Sequence, residues 1–176
     1  RKEFGIPEKT QLMKDTSAAR ISCMVDTHWD FVLSSNLTNK KVDEIKNALF
    51  HLDDVKDKMD LTKTITTYDR GYPSTELMLK TIKLNSYFII RAKTSVFKKQ
   101  QSQMEKTQTN DETFDINLNA AKINKFYNED LKKYAEKMRE FKLRIVKVKL
   151  KNGKSETLFT NLPNKIATPE ELKQLY

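Results

Sequence analysis

The stretch Thr66-Thr-Tyr-Asp-Arg-Gly-Tyr-Pro-Ser74 sets a carboxylate, a guanidinium and a phenol within four residues of one another, after a β-branched run. Asp69 there ends a strand, the place where open α/β sheets put their reactive groups. Its oxygens suit a hard divalent cation, Mg²⁺ or Mn²⁺. Asp after a strand is equally a turn former or a cap, and the local sequence leaves both readings open. The other reactive residues are isolated. His28 and His51 have no second His or Cys beside them, so neither forms a zinc site. His51 reads as a partner for the C-terminal dipole of a helix. Cys23 is the single cysteine. It lies in the apolar run Ile21 to Val25 and reads as a small core residue.

Elements that would position Asp69 follow from periodicity. Arg20 to Val25 and Phe31 to Leu37 read as two strands of a hairpin, with the turn at Asp26 to Asp30. In Lys40 to Leu52 the apolar Val42, Ile45, Leu49 and Leu52 share one helical face. Thr62 to Tyr68 is a strand by its β-branched content. Asp69 to Pro73 breaks it, and Ser74 is placed to cap a helix carrying Leu77, Leu79, Ile82 and Leu84, which Asn85 ends. Tyr87 to Arg91 is a short apolar strand of the kind buried on both faces. Strand, helix and strand in that order predict a parallel βαβ unit.

Beyond it, the polar stretch Lys98 to Thr113 reads as a mobile loop or extended arm. Lys125 to Phe141 reads as one amphipathic helix, with Tyr127, Leu131, Tyr134, Met138 and Phe141 on its apolar side. Leu143 to Leu150 and Glu156 to Leu162 flank Asn152-Gly153, a hairpin signal.

The 176 residues amount to about one domain, and 38% hydrophobic content is enough for a core. Nothing approaches the roughly 20 apolar residues that span a bilayer, and a cytoplasmic location is expected. Thirty-three basic against 24 acidic residues give a net charge of +9. That excess favours a polyanionic partner, most commonly nucleic acid, or else marks a lysine-rich soluble surface. The charge is clustered. Lys80, Lys83, Arg91, Lys93, Lys98, Lys99 and Lys106 face one acid, Glu105, between residues 77 and 106. Lys142 to Lys154 contains no acid, and Lys147, Lys149 and Lys151 share one strand face at period two. Such a row of ammonium groups, roughly 7 Å apart, suits a phosphate backbone.

The segment Tyr68 to Lys98, YDRGYPSTELMLKTIKLNSYFIIRAKTSVFK, resembles the second-aspartate region of the DDE transposases of bacterial insertion sequences, in particular the insertion sequence 4 family. LRIVKVKLKNGKSETLFTNLPNKIATPEELKQLY is similar to that family's β-strand insertion and the approach to its last catalytic helix, and RKEFGI and ARISCMVDTHWDFVLSSNL also fit. The resemblance implies an RNase H-like mixed α/β sheet flanked by helices, residues 1–176 being part of that catalytic domain. Residues 94–163 would be a β-rich insertion before the last catalytic helix. It implies cut-and-paste DNA transposition, in which Asp, Asp and Glu hold two divalent ions for in-line phosphodiester displacement.

In this chain the resemblance makes Asp69 the second aspartate, with Arg70 and Tyr72 shaping the site and Arg91 and Lys93 near bound DNA. Tyr176 matches the Tyr of a Tyr-x2-Arg-x3-Glu-x6-Lys signature. The first Asp is expected before Arg1, and the Glu beyond Tyr176. On that reading the sequence is a piece of a longer protein, inactive alone, that dimerises on transposon ends and associates with the nucleoid when complete. Competing expectations are a non-catalytic DNA-binding remnant of a decayed element, a structure-specific nuclease on the same fold, and an unrelated basic scaffold.

Overall fold

A computed structural model describes residues 19–150 and 152–176. The chain divides into two compact units, with the boundary between Met59 and Asp60.

In the first unit, β1 (Ala19–Asp26) and β2 (Phe31–Asn39) form the expected antiparallel hairpin, with a register shift between Met24 and Val25. The Asp26 carboxylate closes its turn by accepting from the His28 and Trp29 backbone N–H groups, at 2.8 and 2.9 Å. Helix α1 (Glu44–Val55) starts later than the apolar periodicity suggests. Asp43 caps it, its carboxylate accepting from Ile45 N at 2.7 Å.

Two expectations are corrected in this unit. His51 is no dipole partner: it is buried and lies between Ser22 Oγ and Ser34 Oγ, at 2.8 and 2.9 Å. Cys23 is exposed rather than in the core. Strand alternation gives the reason, because the face bearing Arg20, Ser22, Ser34 and Asn36 is the one bonded to α1. Ile21, Cys23, Val25 and Leu37 are left exposed.

Burial holds the His51 imidazole below its usual value, against the opposing pull of Asp54. A base whose folded value is depressed favours folding above its unfolded value of about 6.5. That stability is lost as pH falls through the folded-state value. Hydrogen exchange of the α1 amides is therefore expected to quicken relative to the intrinsic rate as pH drops below about 6.5. His51→Asn should flatten this pH dependence.

In the second unit, Asp60 caps a 3₁₀ turn at Leu61–Lys63 ahead of β3 (Ile65–Tyr68). Ser74 caps α2 (Thr75–Lys83), Asn85 ends it in the left-handed region at φ 53°, and β4 (Tyr87–Ala92) follows. Strands β3 and β4 are parallel, from Ile65 opposite Tyr87 to Tyr68 opposite Ile90. The βαβ unit is thus present as expected.

The segment read as a mobile loop is instead α3 (Lys98–Thr107) followed by the start of β5 (Asp111–Asn117). Buried Gln101 and Met104 hold α3, a signal too sparse for apolar periodicity to reveal. The single helix expected over Lys125 to Phe141 is also corrected. The structure has α4 (Ala120–Ile123), α5 (Glu129–Met138) capped by Asn128, and then β6 (Glu140–Lys149). Arg139 turns into the left-handed region at φ 60° and stops α5, so Phe141 belongs to the strand.

The turn at Asn152-Gly153, with Gly153 at φ 78°, returns the chain into β7 (Ser155–Thr160), and α6 (Pro169–Leu175) closes the unit. The sheet order is β3-β4-β7-β6-β5, and only the β3/β4 pair is parallel. This five-stranded mixed sheet flanked by helices is the RNase H-like architecture expected from the sequence. Because β7 pairs with β4, residues 94–163 join the βαβ unit edge to edge.

Leu172 anchors α6 in a cluster with Ile89, Val146, Val148, Leu158, Leu162 and Ala167. Burying such a Leu contributes about 1.5–3 kcal/mol. Thr168 and Glu171 form a reciprocal capping box at the start of the same helix.

Candidate active site

Asp69 follows β3 directly, and its carbonyl accepts from Tyr72 N at 3.0 Å, closing a tight turn. The turn leaves the side chain 69% exposed at the C-terminal end of the sheet. Three neighbouring elements converge on it. Parallel pairing of Tyr68 with Ile90 brings Arg91 beside Asp69, with Nη1 at 3.7 Å from Oδ1. From the end of α6, Tyr176 Oη donates to the same oxygen at 3.3 Å. From β7, Glu156 lies diagonally across from Arg91, whose strand partner is Leu158. Glu156 is 8% exposed and accepts from both Arg91 Nη2 and, at 3.1 Å, Arg70 Nη2. The result is a chain of alternating charge running from Asp69 through Arg91 and Glu156 to Arg70.

The electrostatics favour an ionised Asp69. The backbone N–H of Arg70 holds its carboxyl below the usual carboxylate range, aided by the Tyr176 hydroxyl and the charges of Arg91 and Arg70, against partial desolvation. Burial and the neighbouring Asp69 charge raise the Tyr176 phenol, so it remains a donor at neutral pH. Burial raises Tyr68 as well, and its ring lies 5.4 Å from that of Tyr72. Arg91 Nε is buried without a hydrogen-bond partner.

The structure therefore brings Asp69, Arg70, Arg91 and Tyr176 into one network, with Tyr72 on the turn that shapes it. The remaining basic candidates are placed differently. Lys93 is exposed just after β4, its carbonyl held by Gln101 Nε2 at 3.1 Å. Lys147 is tied to Glu105 on α3 at 3.2 Å. Lys149 is exposed at the end of β6, and its carbonyl accepts from Lys173. Lys151 lies outside the described residues. Elsewhere in the basic run Lys142 to Lys154, Lys142 pairs with Asp115 at 2.8 Å and Arg144 with Asp111 at 2.7 Å. Sequence reasoning missed Glu156. Its one signal was being the first acid after the acid-free stretch Lys142 to Lys154.

A family model described as "Transposase DDE domain" matches residues 10–176. The chain belongs to that family. No curated protein matches it significantly.

For a DDE transposase domain the substrate is DNA and the reaction is phosphodiester transfer, generally with divalent metal ions. Asp69 suits a cation: it is exposed and held in its ionised form, and its ion pair with Arg91 is a long one at 3.7 Å. A complete metal centre is another matter. Among the described residues, no group of three His, Cys, Asp or Glu side chains is arranged to hold an ion. Glu156, the nearby carboxylate, is taken by two guanidinium groups. Among the described residues Asp69 is thus a single carboxylate suited to a cation rather than part of a complete centre. No helix among the described residues is long and apolar enough to cross a membrane.

Proposed function

We propose that this domain belongs to the insertion sequence 4 group, binds transposon-end DNA, and provides Asp69 as the second of three acidic ligands in a complete catalytic domain. The observation carrying this reading is the ionised, exposed Asp69 at the end of a parallel strand, approached by Tyr176 from α6 and Arg91 from β4. Tyr176 then serves as the first residue of the Tyr-Arg-Glu-Lys signature. The first Asp and the Glu come from flanking sequence, and residues 94–163 form the insertion that backs the site. Arg70, Tyr72, Arg91, Lys93, Lys147, Lys149 and Lys151 contact the DNA, and Mg²⁺ or Mn²⁺ is bound by the completed triad. The complete enzyme works as a dimer on paired ends, at the nucleoid.

The test uses the catalytic domain with its flanking coding sequence and duplexes carrying the element ends. Asp69→Asn should abolish Mg²⁺-dependent nicking while leaving DNA affinity within about twofold, because one ligand is lost and no phosphate contact is. Undiminished nicking by that variant overturns the role of Asp69. The 176 residues alone should not nick. Metal-dependent cleavage by them, lost in Asp69→Ala, would sink the claim that they carry one ligand of three.

A further inference from the structure

Helix α3 has one face locked into the sheet and another that presents three lysines with a serine and a glutamine. On the locked face, the Gln101 amide donates to the carbonyls of Lys93 and Val96 and accepts from Thr157 Oγ1 at 3.4 Å. Met104 is fully buried, and the Phe97 ring meets Phe159 edge-on at 5.5 Å. The opposite face is a broad, shallow hollow lined by Lys98, Lys99, Ser102, Gln103 and Lys106.

Three observations say what this hollow fits. Among the described residues, Lys98, Lys99 and Lys106 make no ion pair, whereas the helix's own carboxylate, Glu105, is engaged with Lys147 at 3.2 Å. Glu112 reaches the edge, but its two oxygens are occupied by Gln103 Nε2 and Thr109 Oγ1, each at 3.0 Å. Secondly, Lys98 and Lys99 occupy a first turn that contains no acid, and Phe97 gives it no side-chain cap. Cations there oppose the helix dipole, so the arrangement is not one that stabilises the helix. Thirdly, none of the exposed large apolar side chains of the described residues lies on α3, which argues against a protein-docking patch. Lys98 and Lys106 are about 12 Å apart along the axis. Laid along the duplex axis, that spans between three and four phosphates of one strand, at a rise of about 3.4 Å each.

We propose that this face of α3 is a docking surface for the backbone of duplex DNA, outside the Asp69 network, that positions the duplex through phosphates without reading bases. The proposal rests on the DNA-binding function proposed above. Each lysine neutralises about one phosphate, so each contributes about 0.9 to the dependence of log affinity on log salt.

The test is fluorescence anisotropy with this chain and duplexes of unrelated sequence across a salt series. The triple variant Lys98→Gln, Lys99→Gln, Lys106→Gln should reduce the slope by roughly 2–3, equally for all sequences, and weaken binding at least about tenfold near 0.1 M salt. Replacing the same three positions with Arg should restore the slope, which separates charge from folding. A control triple, Lys125→Gln, Lys133→Gln, Lys137→Gln, removes the same charge elsewhere and should shift the slope by less than about 1. Equal effects of the two Gln triples overturn the docking surface while leaving DNA binding intact. If the unsubstituted chain shows no salt-dependent affinity at all, the DNA-binding reading itself fails.

Discussion

Arg144→Ala is expected to destabilise the second unit by about 3–5 kcal/mol, the cost of breaking a buried ion pair. Arg144 is 3% exposed and its guanidinium makes four hydrogen bonds. Nε and Nη2 donate to the two oxygens of Asp111, each at 2.7 Å, and Nη1 donates to the carbonyls of Leu162 and Ala167, at 3.2 and 2.7 Å. One side chain on β6 thereby joins β5, the end of β7 and the segment leading into α6. Truncation leaves a largely buried carboxylate and two carbonyls unpaired, and Asn164 Nδ2 at 3.1 Å can meet only part of that demand.

The melting temperature should fall by on the order of 10 °C. Hydrogen exchange should accelerate first in α6, before the β3/β4 pair. The double variant Arg144→Met, Asp111→Leu should recover most of the loss, because the cost is that of breaking a buried pair rather than of lacking one. A loss below about 1 kcal/mol for Arg144→Ala would show that solvent reaches the pair, contrary to this account.

How much of this was legible in the sequence depends on range. Local rules found the β1/β2 hairpin, the Ser74 cap, the β3-α2-β4 unit and the Asn152-Gly153 turn, because each is set by neighbours within a few residues. They failed where a distant partner decides. Lys98 to Thr113 has almost no apolar periodicity, yet a buried Met104 and a Gln101 bonded to two carbonyls hold Lys98–Thr107 as a helix. Phe141 continued the apolar spacing of α5, but a left-handed Arg139 hands it to β6. The charged residues show the same limit. Counting lysines and arginines located a basic run, but could not show that Lys142, Arg144 and Lys147 face carboxylates from elsewhere in the chain. Asp69 was legible because a strand end announces itself. Glu156 was not, since its importance lies in two arginines, 65 and 86 residues away.

Glu156 is therefore the residue whose replacement should most change the character of the site. Its carboxylate divides the two arginines from Asp69, holding Arg91 by Nη2 while Nη1 stays 3.7 Å from Asp69. Glu156→Ala is expected to cost about 2–3 kcal/mol, less than Arg144→Ala. The Arg70 and Arg91 side chains are 47% and 29% exposed, and water re-solvates part of what is lost. Glu156→Gln keeps an acceptor oxygen and should cost less, but it removes the competing negative charge. Arg91 and Arg70 then act on Asp69 alone, so the Asp69 carboxyl should titrate at still lower pH than in the unsubstituted chain.

The sign for stability follows from the depressed folded value of Asp69. Its contribution is present above the unfolded value of about 3.9 and is lost as pH falls through the folded one. Glu156→Gln should extend that loss to lower pH, and Arg91→Ala should move it back upward. Carboxyl carbon chemical shifts of Asp69 across an acid titration measure both. If Glu156→Gln raised the Asp69 value, Glu156 would be no competitor for the guanidinium groups. Its burial would then be a packing feature of β7, with no electrostatic hold on the carboxylate that the fold presents.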